Sequence, residues 1–261
     1  MPKTTQVEVV LSNNEPLPGA DVWLVIDVLR ATTVIVCWFE AGGGEIYPAD
    51  AIEPARLLAE RLKQEGKPII LMGERDGVAP LGFDMGNSPL EITGLAEKLN
   101  QENLNQEKTS AVMATTNGTV AMLKAASTGA PVLIACARNA DAAVAEAIIR
   151  GPRVGILCSG RQGRPAWDDT LCAGLLVSNL VDRFPDISLT DGARLALLVW
   201  RGGEDFKQSL KSAEHAVFLE KIGYGDDVSF AGEINVTRVV PELYGIPDED
   251  GVRAVLKSMP L

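Results

Sequence analysis

The chain has 261 residues, 46% of them hydrophobic, enough to bury one large core or two adjoining ones without metals or disulfides. Its 35 acidic and 24 basic residues give a formal net charge of −11, which argues against a broad basic surface for nucleic acid or an anionic membrane. No apolar run approaches the roughly 20 residues of a membrane span, and residues 1–5 lead into a strand-like segment rather than a signal sequence, so a cytoplasmic location is expected.

In chain order, short apolar runs are each followed by a cluster of Gly, Asp, Asn, Ser or Thr and then by a helical pattern, the grammar of an α/β fold. Residues 22–26 predict a strand ending at Asp27, and 31–41 a helix stopped by Gly42-Gly43-Gly44. A short strand at 46–48, a helix from about 53 to 64 and a strand at 68–72 follow, running into Gly73-Glu74-Arg75. Residues 75–89 are rich in Gly, Pro and Asp without a period; so long a loop in a compact domain tends to be functional. Strands are expected at 111–114, 131–135 and 154–158, with helices through 126 and over 140–149. Residues 168–221 read as nearly all helix, broken near Pro185 and Gly202-Gly203, with a short closing strand at 235–240 and an exposed polar loop at 100–108. A division into an N-terminal α/β lobe, 1–130, and a C-terminal one, 131–261, is expected, though nothing linker-like marks the boundary and the chain also reads as one domain. Cys37, Cys136, Cys158 and Cys172 stand apart in apolar settings without a C-x-x-C pair and read as buried free thiols.

Ligands of open α/β sheets bind outside the carboxyl ends of the strands, where loops converge and helix N-termini present positive dipole ends. Asp27, Glu74, Thr115, Thr116, Asn139 and Ser159 each follow a predicted strand, so a parallel arrangement would gather them on one edge. The segment 27–33 puts a carboxylate, a guanidinium (Arg30) and two hydroxyls (Thr32, Thr33) together; it suits a hard cation and a phosphate, or equally a helix cap with an Asp27–Arg30 pair. Glu74, Arg75, Asp84, Asn87 and Ser88 add acids, a guanidinium and polar groups in loops, though a plain surface turn reads the same way. Thr115 to Thr119 offers hydroxyls and free N–H groups at a helix start. Cys158 to Arg164 has the C-x5-R spacing of cysteine phosphatases, but Pro165 follows where a helix-starting Ser or Thr belongs, and a Gly-rich anion loop without a nucleophile is the preferred reading. The single histidine, His215, excludes a three-His zinc site and reads as structural. No D-x-D after a strand, no G-x-S-x-G and no P-loop occurs.

Taken in order, D-V-L-R-A-T-T at 27–33, G-E-R at 73–75, F-D-M-G-N-S-P at 83–89, T-T-N-G-T at 115–119 and D-D-T-L-C-A-G at 168–174 resemble the 2-phosphosulfolactate phosphatase family over nearly the whole chain. The resemblance implies a two-lobed α/β fold of mixed or mostly parallel sheets with flanking helices, its site at strand ends between the lobes. It implies Mg²⁺-dependent removal of phosphate from 2-phospho-3-sulfolactate, in coenzyme M biosynthesis. Carried over by position, it makes Asp27, Glu74, Asp84 and Asp169 the metal or acid/base carboxylates, and points to Arg30, Thr32, Thr33, Asn87, Ser88, Thr116, Asn117 and Gly118 for the anion. Asp168 stands where the family pattern has Glu, and residues 135–139 also depart from it. Water is the preferred nucleophile, oriented by Asp27 or Asp169, with Ser88 or Cys158 as covalent alternatives; Arg75 or Arg161 is expected to hold the substrate's sulfonate or carboxylate. The competing readings are a metal-independent phosphatase using Cys158 and Arg164, and a non-catalytic anion-binding protein. A homodimer is the default expectation.

Overall fold

A run of apolar residues flanked by others like it becomes an interior strand, and five-residue β2 (Val22–Ile26) is buried at every position between β6 (Val132–Ala135) and β7 (Arg153–Cys158). The computed structural model describes residues 5–102, 108–203, 205–248 and 251–258. Its one ten-stranded sheet also contains β1 (Gln6–Val10), β3 (Ile46–Ala49), β4 (Ile69–Gly73), β5 (Ser110–Ala114), β8 (Ser188–Leu189), β9 (Pro241–Asp248) and β10 (Gly251–Ser258), in the order β4-β5-β3-β10-β9-β6-β2-β7-β1-β8.

The order separates two parallel groups. Strands β4, β5 and β3 run together, as do β6, β2, β7, β1 and β8. Between them stands the β9–β10 hairpin, antiparallel within itself, to β3 at Leu256↔Ile46 and to β6 at Val132↔Leu243. Three antiparallel steps leave the two groups pointing in opposite directions. The expectation of one parallel edge collecting every strand end is therefore corrected. In a flat sheet those ends would lie on opposite edges.

The sheet is not flat. Alternate residues of both groups face one shared core: Trp23 and Val25 of β2, Ile134 of β6, and Ala111 and Met113 of β5 pack around helices α1 (Ala31–Glu40) and α4 (Gly118–Ala126). Helix α1 is buried from Ala31 to Phe39, as a helix apolar all round must be. The opposite faces carry separate cores. Helix α2 (Ile52–Gln64) lays Ala55, Ala59 and Leu62, spaced i, i+4, i+7, on the first group. Helices α5 (Ala140–Arg150) and α6 (Trp167–Arg183) cover the second, with α7 (Asp191–Gly202), α8 (Phe206–Lys211), α9 (Glu214–Lys221) and α10 (Gly225–Ala231) beyond. The curl of the sheet around α1 and α4 brings both sets of strand ends together.

Two expectations fail at the sheet's middle. Residues 235–240 form no strand; Asn235, Val236 and Thr237 donate their N–H groups to the carbonyls of Ala137 and Arg138 in the turn before α5 instead. The closing strands are β9 and β10, hidden because Pro241, Gly245 and Pro247 read as turn residues. Helix α3 (Pro89–Glu102) takes residues 100–102 of the expected polar loop, of which 103–107 lie outside the described residues. No helix of the described residues is long and apolar enough to cross a membrane.

The approach of α6 to α7 depends on Gly174, where a Cβ would stand 2.2 Å from the Ala196 carbonyl oxygen. Backbone cannot yield there as a side chain can. Gly174→Ala is expected to cost about 1–3 kcal/mol through overpacking, measured as a lowered midpoint in denaturant or thermal unfolding.

Candidate active site

Strands β2 and β7 end side by side at Ile26↔Cys158, so the loops after them leave together. At the first turn of α1, one oxygen of the Asp27 carboxylate accepts the Ala31 N–H at 3.2 Å. Thr32 donates its hydroxyl to the Asp27 carbonyl (2.9 Å) and accepts the Asp27 N–H (3.1 Å), while Thr33 donates to the Val28 carbonyl (2.8 Å). A threonine has one hydroxyl proton, and both are given to the turn. Thr32 and Thr33 therefore shape the loop and have no proton left for an anion.

Two adjacent acids open α6, and they divide the work differently from expectation. Asp169 is saturated: it accepts from Val28 N–H (2.9 Å), the Ser159 hydroxyl (3.0 Å) and Gly160 N–H (2.9 Å), lacing the loop after β2 to the loop after β7. Asp168 is buried, near enough to Asp27 for the two like charges to repel. Burial pushes Asp27 up to about 7, with Asp168 and Glu74 adding like charge. Burial likewise pushes Asp168 up to about 6, against the pull of its hydrogen bonds and of Arg161. Asp169 is driven well upward by burial and then by its two acidic neighbours.

From the other strand group, Glu74 follows β4 and is held by the N–H groups of Thr116 (2.7 Å) and Gly77 (3.1 Å). Gly118 opens α4 against α1: a Cβ there would meet the Ala31 Cβ at 2.5 Å and an Asp27 carboxylate oxygen at 2.7 Å. Arg30 spans the seam. Its Nη1 donates to Asp227 at 2.8 Å, its Nη2 to the Gly77 carbonyl at 2.6 Å, and its guanidinium lies 4.4 Å from the Tyr224 ring centre. Ser88 donates its hydroxyl to the other Asp227 oxygen at 2.7 Å, so that proton too is committed.

Asp27, Leu29, Arg30, Glu74, Gly77, Asn87, Asn117 and His215 line the resulting cleft. Asn87 is buried, and its side-chain carbonyl oxygen has no hydrogen-bond partner. His215 is pushed down to about 4 by burial and then by Arg161 and Arg30, so it is neutral at pH 7. Arg161, half-buried over the Phe218 ring, stands beside His215 and Asp168.

Other candidates are not brought into the cleft. Asp84 is exposed and accepts the Leu71 N–H on the outer side of β4. Arg75 donates to the Glu74 carbonyl, and exposed Thr116 contributes its N–H to Glu74. Asn139 is spent bridging the Cys136 N–H to the carbonyls of Ile134 and Val239. Cys158 is fully buried in the core beneath the sheet, and burial raises its thiol well above the ordinary value. Arg164 is exposed in a tight turn with Arg161. Burial of the thiol speaks against the cysteine-phosphatase reading.

Three residues at or beside the cleft carry little signal in sequence: Asp168 departs from the family's Glu, His215 has the look of a structural residue, and Asp227 shows only an acid at a helix start. The oxygen donors that line the cleft, Asp27 and Glu74 with the unpartnered oxygen of Asn87, suit a hard divalent cation. Among the described residues no group of three His, Cys, Asp or Glu stands ready to hold a metal ion. An open site with one or two carboxylates and several waters is the usual way Mg²⁺ is held.

Buried acids, guanidiniums and helix N-termini meeting at the strand ends of an α/β sheet define an enzyme for a small, multiply charged phosphoester. Residues 10–245 match the model of the 2-phosphosulpholactate phosphatase family, and the chain belongs to that family. It is accordingly a phosphoric monoester hydrolase. A protein of Deinococcus radiodurans named as a probable 2-phosphosulfolactate phosphatase is 37% identical over 240 residues, covering 92% of this chain and 93% of its own. Proteins of the same name from Pseudothermotoga lettingae and Thermus thermophilus are 34% and 36% identical, covering 89% and 88% of this chain and 93% and 91% of their own.

Asp27 and Asp168 bind protons more tightly when folded than at the ordinary 3.8, so between 3.8 and about 7 the folded chain holds more protons than the unfolded one. Stability of the metal-free protein therefore falls as pH rises through that window. Thermal melts are expected to show Asp27→Asn more stable than the wild type at about pH 8, the gain vanishing below the unfolded carboxylate range. Gly118→Ala, which drives a methyl group into Ala31 and the Asp27 carboxylate, is expected to lower kcat/KM on the order of 100-fold, read in a steady-state phosphate-release assay.

Proposed function

We propose that the protein hydrolyses 2-phospho-3-sulfolactate to 3-sulfolactate and inorganic phosphate, with Mg²⁺ held by Asp27 together with Glu74 or Asp168, and that it works in the cytoplasm as a homodimer. The observation that carries this reading is the Asp27–Glu74 pair, two carboxylates that line one cleft with Arg30, Asp27 being buried. Such a pair is costly for an empty protein and useful to one that takes up a cation. The names of the relatives support the choice of substrate.

Bound there, Mg²⁺ supplies charge neutralisation at the phosphoryl oxygens. The chain's own groups do the rest. Arg30 uses N–H donors not given to Asp227 or Gly77 to hold non-bridging oxygens, and the start of α4 at Asn117 and Gly118 presents backbone N–H groups to the same charge. The Asp27 carboxylate, which lines the cleft, orients the attacking water. Water is the preferred nucleophile, with the Ser88 hydroxyl turned to Asp227 and the Cys158 thiol sealed in the core. Arg161, with neutral His215 beside it, is placed to receive the acidic group at the substrate's far end.

A phosphate-release screen over small phosphorylated hydroxy acids tests the proposal. Expected is fastest release from 2-phospho-3-sulfolactate, lost in excess chelator and restored by Mg²⁺. Undiminished release in chelator would overturn the metal requirement; tight phosphate binding without release from any ester would leave an anion-binding protein.

A further inference from the structure

We infer that Asp227, on α10, is a positioning residue for the phosphoester reaction: through Arg30 and Ser88 it aims the guanidinium that meets the phosphoryl group. This rests on the reading that Arg30 binds phosphate. Asp227 is 1% exposed and uses both oxygens, one for Arg30 Nη1 at 2.8 Å and one for the Ser88 hydroxyl at 2.7 Å. Neither partner is a neighbour in sequence; they lie 197 and 139 residues away.

Three restraints then fix the plane of Arg30, which is itself only 2% exposed. Asp227 holds one terminal nitrogen, the Gly77 carbonyl holds the other, and the Tyr224 ring covers a face. A guanidinium has five N–H donors in a rigid fork, so these contacts set its direction and leave donors for a ligand. Without a carboxylate partner, so buried a cation would be strongly disfavoured. Ser88 keeps that carboxylate from rotating, which turns a charge pair into an oriented one.

The residue arrives with a whole segment. A Cβ on Gly77 would meet Ile222 Cδ1 at 2.7 Å and Phe218 at 2.9 Å, so the stretch carrying α9 and α10 lies directly on the loop after β4. The same stretch brings His215 to the cleft. The C-terminal helices thereby complete a site whose sequence motifs all lie before residue 175.

The test uses the full chain with Mg²⁺. Asp227→Asn keeps size and removes charge; kcat/KM for 2-phospho-3-sulfolactate is expected to fall at least about 10-fold, with orthophosphate affinity by calorimetry weakened to a similar degree. Arg30→Lys should fall comparably, and adding Asp227→Asn to it should cost less than about twofold more, because the two act as a unit. Asp227→Glu should recover part of the loss. A purely structural role predicts something else: a lower unfolding temperature, kcat/KM per folded molecule within about twofold of wild type, and effects that multiply independently with Arg30→Lys. That outcome overturns the inference. If Asp227→Asn does not fold, Ser88→Ala, which leaves the ion pair, should lower kcat/KM about threefold in the wild type and not in Arg30→Lys; no change in either background overturns it equally. Should the wild type bind orthophosphate yet release none from any ester, the phosphatase reading fails by itself, and the ratio of orthophosphate affinities of wild type and Asp227→Asn decides the role of Asp227.

Discussion

The site depends on a reversal of direction in the middle of the sheet. The β9–β10 hairpin sets one parallel strand group against the other, and only a sheet curled around a shared core can then join both carboxyl edges. Helices α1 and α4 form that shared core, and their N-termini necessarily meet where the edges meet. The absence of a side chain at Gly118 follows from the same constraint, since any atom there would occupy the space of Ala31 and Asp27.

Closeness of this kind concentrates charge. Asp27, Asp168 and Asp169 are buried with half-buried Glu74 beside them, and the chain deals with them unequally. Asp169 is neutralised in effect by three donors and becomes a tie between loops. Glu74 is restrained by two N–H groups. Asp27 accepts one N–H, from Ala31, and its burial raises it to about 7. A ligand of opposite charge that binds the folded chain stabilises it.

Arg30 shows the complementary device. It is fixed by an acid, a carbonyl and an aromatic face from three parts of the chain, so its direction is set before any ligand arrives. A donor array that need not reorganise during reaction is worth more than the same donors on a mobile arm. Arg161, held over Phe218, is a second ordered guanidinium in a chain whose overall charge is strongly negative. Local geometry, not net charge, decides what such a protein attracts.

Local sequence determined the α/β alternation, the strands at 22–26, 111–114 and 154–158, and the polar clusters that follow them, because apolar periodicity and turn chemistry act over a few residues. It also marked Asp27, Arg30, Glu74, Asn87, Asn117 and Gly118, which do line or abut one cleft. Local sequence left β9 unreadable, since Pro241, Gly245 and Pro247 become strand only by pairing with β10 and β6. Nor did it show how differently Asp168 and Asp169 are held, since the hydrogen bonds to Asp169 come from loops nine to 141 residues away. His215 reaches the cleft and Asp227 reaches Arg30 for the same reason. Their place is set by how α9 and α10 dock on the loop after β4, and docking is a property of packed surfaces that no neighbouring residue in the chain encodes.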